Sequence, residues 1–91
     1  MKQKIKLPRT GKALEKLLIE SYGIESGAGL ALVGIAVEAL DSALEAEKLV
    51  TEHGRLIPGD RGGLRANPML TVSRDCRRRL LDALKTLNLE L

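Results

Sequence analysis

Residues 28–51 read AGLALVGIAVEALDSALEAEKLVT, and this stretch decides the fold of a chain of 91 residues. Its apolar residues recur at spacings of three and four, which predicts one long helix. At 1.5 Å per residue, such a helix would reach about 36 Å, which is long for a protein of this size. The apolar positions form two neighbouring stripes. The first is Leu30, Val33, Val37, Leu40 and Leu44, and the second is Leu32, Ile35, Ala36, Ala39, Ala43 and Ala46.

Two apolar stripes on one helix imply two packing partners. A helix in a monomeric hairpin needs one stripe, so the second predicts contact with a neighbouring copy. We therefore expect Leu32, Ile35, Ala36, Ala39, Ala43 and Ala46 to form an oligomer interface. The composition agrees, because Tyr22 is the only aromatic residue. A small core of Leu, Ile, Val and Ala is marginal without a partner, which favours a homo-oligomer.

Capping residues bound the long helix and a shorter helix before it. Ser26 is a candidate N-cap and Gly54 a natural terminator, which places the long helix at about 27–52. Thr10 and Gly23 supply the same two signals for a short helix at about 11–22.

Asn67 and Pro68 predict the start of a third helix. Asparagine can cap the free amides of a helix start, and proline there lacks only an amide that has no partner. The helix is expected at about 68–87. The preceding residues 55–66 contain one proline and three glycines, and they predict either a reversing loop or a rudimentary β-hairpin.

These elements predict an all-α fold. A short N-terminal helix would precede an antiparallel hairpin of two long helices, with a small β-hairpin as one option for the connection. Residues 1–9 are basic and contain Pro8, so we expect a flexible basic arm followed by a single helical domain over residues 10–91.

Charge is segregated along the chain. Residues 1–24 carry six basic and two acidic side chains, residues 25–53 one and six, and residues 54–91 eight and four. Basic ends can serve a polyanion, and double-stranded DNA is the better candidate because single-strand binders stack bases on aromatic rings. The predicted DNA-binding residues are Lys2, Lys4, Lys6, Arg9, Lys12 and Lys16. A solvated basic tail without a ligand explains the same charges equally well.

The last helix carries three consecutive arginines, Arg77, Arg78 and Arg79. They spread over about 200° of the helix, so at least one should meet an acidic partner. Asp75 with Arg79 and Arg78 with Asp82 are pairs four residues apart that could stabilise the helix.

No pattern of enzymatic chemistry is present. His53 is the only histidine, and its place at a helix end favours a capping or exposed role. Cys76 lies on the apolar seam of the last helix and is expected in the core. The glycines match no phosphate-binding motif, and the carboxylates of the long helix lack histidine partners. We therefore predict a non-enzymatic protein with no cofactor and no metal.

The basic N-terminal residues are followed by no apolar core of signal-peptide type. The apolar stretch 28–40 contains Glu38 and is too short to span a bilayer. A cytoplasmic protein without a membrane partner is the expectation.

In its order of motifs the chain resembles the small subunit of phage terminases. The matching residues are ALEAEKLVTEHGRLI at 43–57, ANPML at 66–70 and LKTLNL at 84–89, and the resemblance covers about residues 22–89. Asn88 stands where the family has a glycine followed by Leu-Thr-Pro, so the resemblance is to a compact or trimmed member.

The resemblance implies a ring-forming, non-catalytic subunit. Such a subunit binds viral double-stranded DNA in the host-cell cytoplasm. It presents the DNA to the terminase large subunit, which carries the ATPase and nuclease, for genome packaging. A helical-hairpin module that binds or scaffolds another protein without nucleic acid is the alternative. A regulatory protein with a helix-turn-helix is third, because the helix after Gly23 is too acidic and apolar for a major groove.

Overall fold

The computed structural model describes residues 3–91, so Lys2 of the predicted DNA-binding set lies outside the described residues. Three α-helices dominate, together with a π-helical turn and four short strands. In chain order they are β1 (Gln3–Lys4), α1 (Gly11–Lys16), the π-helical turn (Leu17–Ser21), α2 (Gly27–His53), β2 (Leu56–Pro58), β3 (Leu64–Ala66), α3 (Met69–Thr86) and β4 (Leu89–Glu90).

Helices α2 and α3 pack along each other as the predicted antiparallel hairpin. Near the connection, the Asn67 amide donates to the carbonyl of Gly54, while further along Glu47 meets Arg77. Sequence numbers therefore rise along one helix as they fall along the other. The protein is elongated, with principal extents of 53 × 22 × 20 Å. Its fully buried large side chains are Leu14, Leu18, Leu40, Leu80 and Leu84, so α1, α2 and α3 share one aliphatic core.

The predicted caps at the helix starts are confirmed. The hydroxyl of Thr10 accepts from the amide of Ala13 at 3.2 Å, and that of Ser26 accepts from Gly29 at 3.1 Å. Asn67 Oδ1 accepts from the amide of Met69 at 3.0 Å and so caps α3. Each side chain satisfies an amide that has no partner within its helix.

Two glycines end helices in the left-handed region. Gly54 closes α2 at φ 88° and donates to the carbonyl of Val50, and Gly23 follows the π-helical turn at φ 64°. The predicted first helix therefore spans nearly its expected length, but its last turn is wider than an α-helical one.

The expectation of a flexible basic arm over residues 1–9 is wrong for residues 3–5. Gln3 and Lys4 pair in parallel with Leu89 and Glu90, and the amide of Ile5 donates to the carbonyl of Glu90 at 2.7 Å. The side chain of Ile5 is buried in the core. Burial of one aliphatic side chain together with backbone hydrogen bonds holds this segment against the end of the helical hairpin.

Four of the six residues predicted to form the oligomer interface lie inside the single chain. Ala36, Ala39, Ala43 and Ala46 are buried within the single chain, and Leu32 is half-buried. Their small side chains let neighbouring helices approach α2 closely, so this stripe packs inside the subunit. Of the six predicted residues, Ile35 alone remains exposed, at 44%.

The connection between α2 and α3 is a β-hairpin, which settles the choice left open by the sequence. Leu56 pairs with Ala66, Ile57 with Arg65 and Pro58 with Leu64 in antiparallel register. The amide of Gly59 donates to the carbonyl of Gly63 and closes the loop.

By length and composition alone, α2 could also cross a membrane, with a mean hydropathy of 1.6 over an 18-residue window. Apolar core helices of globular proteins meet the same criterion. A third of that window is buried inside the protein. Glu38 and Asp41 lie on the exposed side of the helix.

Candidate nucleic-acid interface

All described members of the predicted DNA-binding set are exposed. They are Lys4, Lys6, Arg9, Lys12 and Lys16. Within residues 3–91, none of them has a carboxylate within 4.0 Å. The structure thus leaves five cationic side chains available to phosphate, on a segment that also exposes Glu15 and Glu20.

Lys4 and Lys6 are positioned by the residue between them. Successive side chains of an extended chain point to opposite sides, and Ile5 is buried. Both lysines therefore face solvent from a backbone that is held in place. The carbonyl of Lys4 also accepts from the Tyr22 hydroxyl, at 3.4 Å. The two charges lie on either side of the buried Ile5 rather than on the flexible tail predicted from sequence.

Lys12 and Lys16 lie one helical turn apart on α1. Asp41 of α2 fixes the start of this helix, because its Oδ1 accepts from the amide of Gly11 at 2.8 Å. A carboxylate at a helix N-terminus is also favoured by the helix dipole. A side chain at Gly11 would collide with that carboxylate, since a Cβ there would lie 2.6 Å from Asp41 Oδ1. Glycine therefore allows α1 and its lysines to sit directly against α2.

Of the three consecutive arginines of α3, Arg77 has the acidic partner predicted for at least one of them. Its Nε and Nη2 donate to Oε2 and Oε1 of Glu47, each at 2.8 Å, and the Ser73 hydroxyl donates to Glu47 Oε2 at 3.0 Å. The hydrogen bonds from Arg77 hold the pKa of Glu47 below its ordinary value, and the same contact raises the pKa of Arg77. This bidentate pair joins α2 to α3 and removes Arg77 from any DNA-binding role.

The two ion pairs predicted along α3 do not form. Arg78, Arg79 and Asp82 are exposed, and Asp75 instead lies 3.9 Å from Arg74. Both side chains of that contact are largely exposed, so solvent screens the attraction.

The other residues considered for chemistry occupy the places expected of them. Cys76 is buried in α3 and His53 is exposed in the last turn of α2. Across residues 3–91, no cluster of three His, Cys, Asp or Glu side chains could hold a metal ion.

An apolar groove beside the β-hairpin was missed by sequence reasoning. Two adjoining shallow depressions, open to solvent and of about 380 Å³ each, share Leu49 and Met69. One extends to the base of the hairpin at Ile57 and Pro58, and the other runs between α2 and α3 to Val72. Asp41 and Glu45 belong to the lining of the second depression. Helical periodicity predicts which helix faces are apolar, but the depressions between packed helices depend on the tertiary packing.

No family model, no curated protein and no solved structure matches this chain.

Proposed function

We propose that the chain is a non-catalytic small subunit of a phage terminase. In this role it binds viral double-stranded DNA and presents it to the large ATPase and nuclease subunit for genome packaging. The observation that carries the proposal is the set of five exposed cations between Lys4 and Lys16, which have no carboxylate within 4.0 Å among residues 3–91. Cations on an ordered backbone bind a phosphate backbone with less loss of conformational entropy than cations on a flexible tail.

The DNA-binding part of the proposal rests on charge and not on base readout. Lys4, Lys6, Lys12 and Lys16 donate to phosphate oxygens without regard to sequence. Each neutralised phosphate releases counterions, so affinity falls steeply with salt. Repeated weak contacts from several subunits would add to a useful affinity, which is why self-assembly into a ring belongs to the same proposal.

A cytoplasmic location belongs to this proposal as well. Were α2 to span a bilayer, Glu38 and Asp41 would face hydrocarbon, which is costly for ionised side chains. Asp41 is also committed to the start of α1 through its hydrogen bond to Gly11.

The test is binding of a fluorescent DNA duplex, followed by anisotropy at increasing salt. Wild-type protein should bind at low salt and lose affinity steeply as salt rises. The triple variant Lys4→Glu, Lys6→Glu, Lys12→Glu should lose binding while keeping its assembly state. A matched control, Arg78→Glu, Arg79→Glu, Lys85→Glu, changes the net charge equally at exposed positions of α3. Equal loss in both variants, or no binding by wild type, would refute the assignment.

A protein-interaction module without nucleic acid is the second candidate. A specific surface favours it: residues 27–37 contain no charge, and their exposed side includes Leu30 at 43% and Ile35 at 44%. Such an uncharged patch at the start of α2 suits another apolar protein surface. Wild-type protein that ignores duplex DNA at low salt would favour this reading.

A further inference from the structure

The β-hairpin exposes an apolar face to solvent. Leu56 and Leu64 are 60% and 71% exposed, the highest values among the large apolar residues of the described chain. Their cross-strand partners are Ala66 and Pro58, so four apolar residues share one face of the ribbon. A two-stranded ribbon is marginal in water by itself, and a wholly apolar outer face is typical of a contact surface.

Three arginines belong to the same segment: Arg55 precedes β2, Arg61 lies in the loop, and Arg65 of β3 pairs with Ile57 on the opposite face of the ribbon. Arg55, Arg61 and Arg65 are exposed and, within residues 3–91, have no carboxylate within 4.0 Å. The segment contains a single acidic residue, Asp60. The surface that covers the hairpin should therefore combine apolar groups with negative charge.

The groove between α2 and α3 has that combination. Its floor includes Ala46, Leu49 and Met69, with the half-exposed Val72 at its side. Glu45 and Asp41 provide exposed carboxylates in its lining, and that of Asp41 also accepts from the Gly11 amide. Apolar floor and acidic lining thus complement the apolar face and arginines of the hairpin.

One chain does not bring these two surfaces together. Ile57 and Pro58 border the groove, yet Leu56 and Leu64 of the same hairpin remain exposed. A contact between the two surfaces would therefore join two chains. DNA is a poorer occupant for the hairpin face, because a ribbon that reads a groove needs hydrogen-bonding side chains where this one has leucine, proline and alanine.

We propose that the β-hairpin of one copy docks into the α2–α3 groove of a second copy. Leu56 and Leu64 enter the apolar floor, and the hairpin arginines approach Asp41 and Glu45. Because the two surfaces differ, the contact is head-to-tail and repeats around a ring or along a filament. This inference deepens the self-assembly part of the proposed function and replaces the alanine stripe as the interface.

Two variants test the contact from its two sides. The hairpin variant is Leu56→Ser with Leu64→Ser, and the groove variant is Glu45→Arg with Val72→Arg. All four positions are exposed, so both variants should keep the wild-type fold. A matched control, Ile19→Ser with Leu81→Ser, removes two exposed apolar residues from outside both surfaces.

The measurement is mass in solution by sedimentation at micromolar concentration, with circular dichroism to verify the fold. Wild type and the control should form assemblies of several chains, and each of the two interface variants should fall to the mass of one chain, 9.9 kDa. An equimolar mixture of the two interface variants should give a 1:1 heterodimer, because one supplies an intact groove and the other an intact hairpin.

Wild type that stays monomeric, a hairpin variant that assembles normally or a mixture without heterodimer would each overturn the docking proposal. The DNA assay separates these results from the proposed function. If wild type is monomeric and its salt-dependent DNA binding is lost only in the lysine variant, the docking contact is refuted and the DNA-binding function stands. If wild type assembles but does not bind duplex DNA, the DNA-binding function is refuted and the docking contact stands.

Discussion

The two ends of the helical hairpin are built from similar pieces and differ in what they bury. At one end the β1–β4 pair buries Ile5 and Leu89, which are 5% and 4% exposed. At the other end the β2–β3 hairpin leaves Leu56 and Leu64 mostly in solvent. The first ribbon completes the core of the single chain, whereas the second leaves apolar surface for a further contact. Apolar content alone therefore does not say whether a ribbon serves folding or association.

The largest effect on the free energy of unfolding is expected in the aliphatic core, toward the end of the helical hairpin that carries β1 and β4. Leu80→Ala should lower the free energy of unfolding by about 3 kcal/mol, because Leu80 is fully buried among α1, α2 and α3. Urea unfolding followed by circular dichroism measures the change. Leu81→Ala is the neighbouring control, since that side chain is 47% exposed and should change stability little. Similar losses in both would mean that the core is not centred on Leu80.

The junction of the β-hairpin with α3 should give the next largest effect. Asn67→Ala removes both the cap on Met69 and the bond to Gly54 from a buried position, at an expected cost of about 1–2 kcal/mol. Asn67→Asp keeps an oxygen for the cap but loses the donor to Gly54, so it should fall between wild type and Asn67→Ala. Equal stability of all three proteins in urea would contradict the dual role.

A smaller effect should come from the ion pair midway between the two ends. Because Arg77 depresses the pKa of Glu47, the pair stabilises the folded state above the ordinary glutamate pKa of 4.5. That stabilisation is lost as pH falls through the lower pKa of the folded state. Glu47→Gln should cost about 0.5–1 kcal/mol at pH 7, a value that allows for partial exposure of both side chains.

The measurement for this pair is urea unfolding at neutral and strongly acidic pH. The difference between wild type and Glu47→Gln should shrink in acid. Asp75→Asn serves as the comparison, because the exposed Arg74–Asp75 contact at 3.9 Å should contribute nothing measurable. A pH-independent difference for Glu47→Gln would argue against the charge of Glu47 as its source.

The smallest effect on the free energy of unfolding is expected at the end of the helical hairpin that carries β2 and β3. In the isolated chain, Leu56→Ser with Leu64→Ser should alter the free energy of unfolding by less than about 0.5 kcal/mol, since both side chains are already in solvent. Unfolding should be followed at dilutions where wild type is a monomer. A large loss there would show that the hairpin belongs to the core after all and would erase the contrast between the two ends.

Helix placement follows closely from local signals in this sequence. Thr10, Ser26, Asn67 and Gly54 act within a few residues of their own positions, so their capping roles can be read without knowledge of the tertiary fold. The β-hairpin cannot be distinguished from a reversing loop in the sequence, because its strands are three residues long, too short for a clear period of two.

The errors came from contacts between distant parts of the chain. The alternation of Lys4, Ile5 and Lys6 fits a strand, but its partner at Leu89 is more than 80 residues away. Periodicity likewise shows two stripes on α2 without saying which one faces inward. Helix packing determines which stripe faces inward: the small alanines fit where the helices approach closely, whereas Ile35 remains exposed to solvent.

Charge alone identifies the candidate DNA-binding residues, and the structure adds the exposure of the five that it describes and the ordered backbone beneath Lys4 and Lys6. The hairpin-to-groove contact was beyond the sequence, since its two surfaces appear only after α2, α3 and the hairpin have packed.

Tyr22 is the one source of intrinsic aromatic fluorescence in this sequence. It is the sole aromatic side chain, it packs against the core, and its hydroxyl donates to the carbonyl of Lys4. Intrinsic tyrosine emission therefore reports on the docking of the N-terminal strand and is silent about the distant β-hairpin. Comparing emission with far-ultraviolet ellipticity during one urea titration would separate fraying of that strand from cooperative melting of the helices.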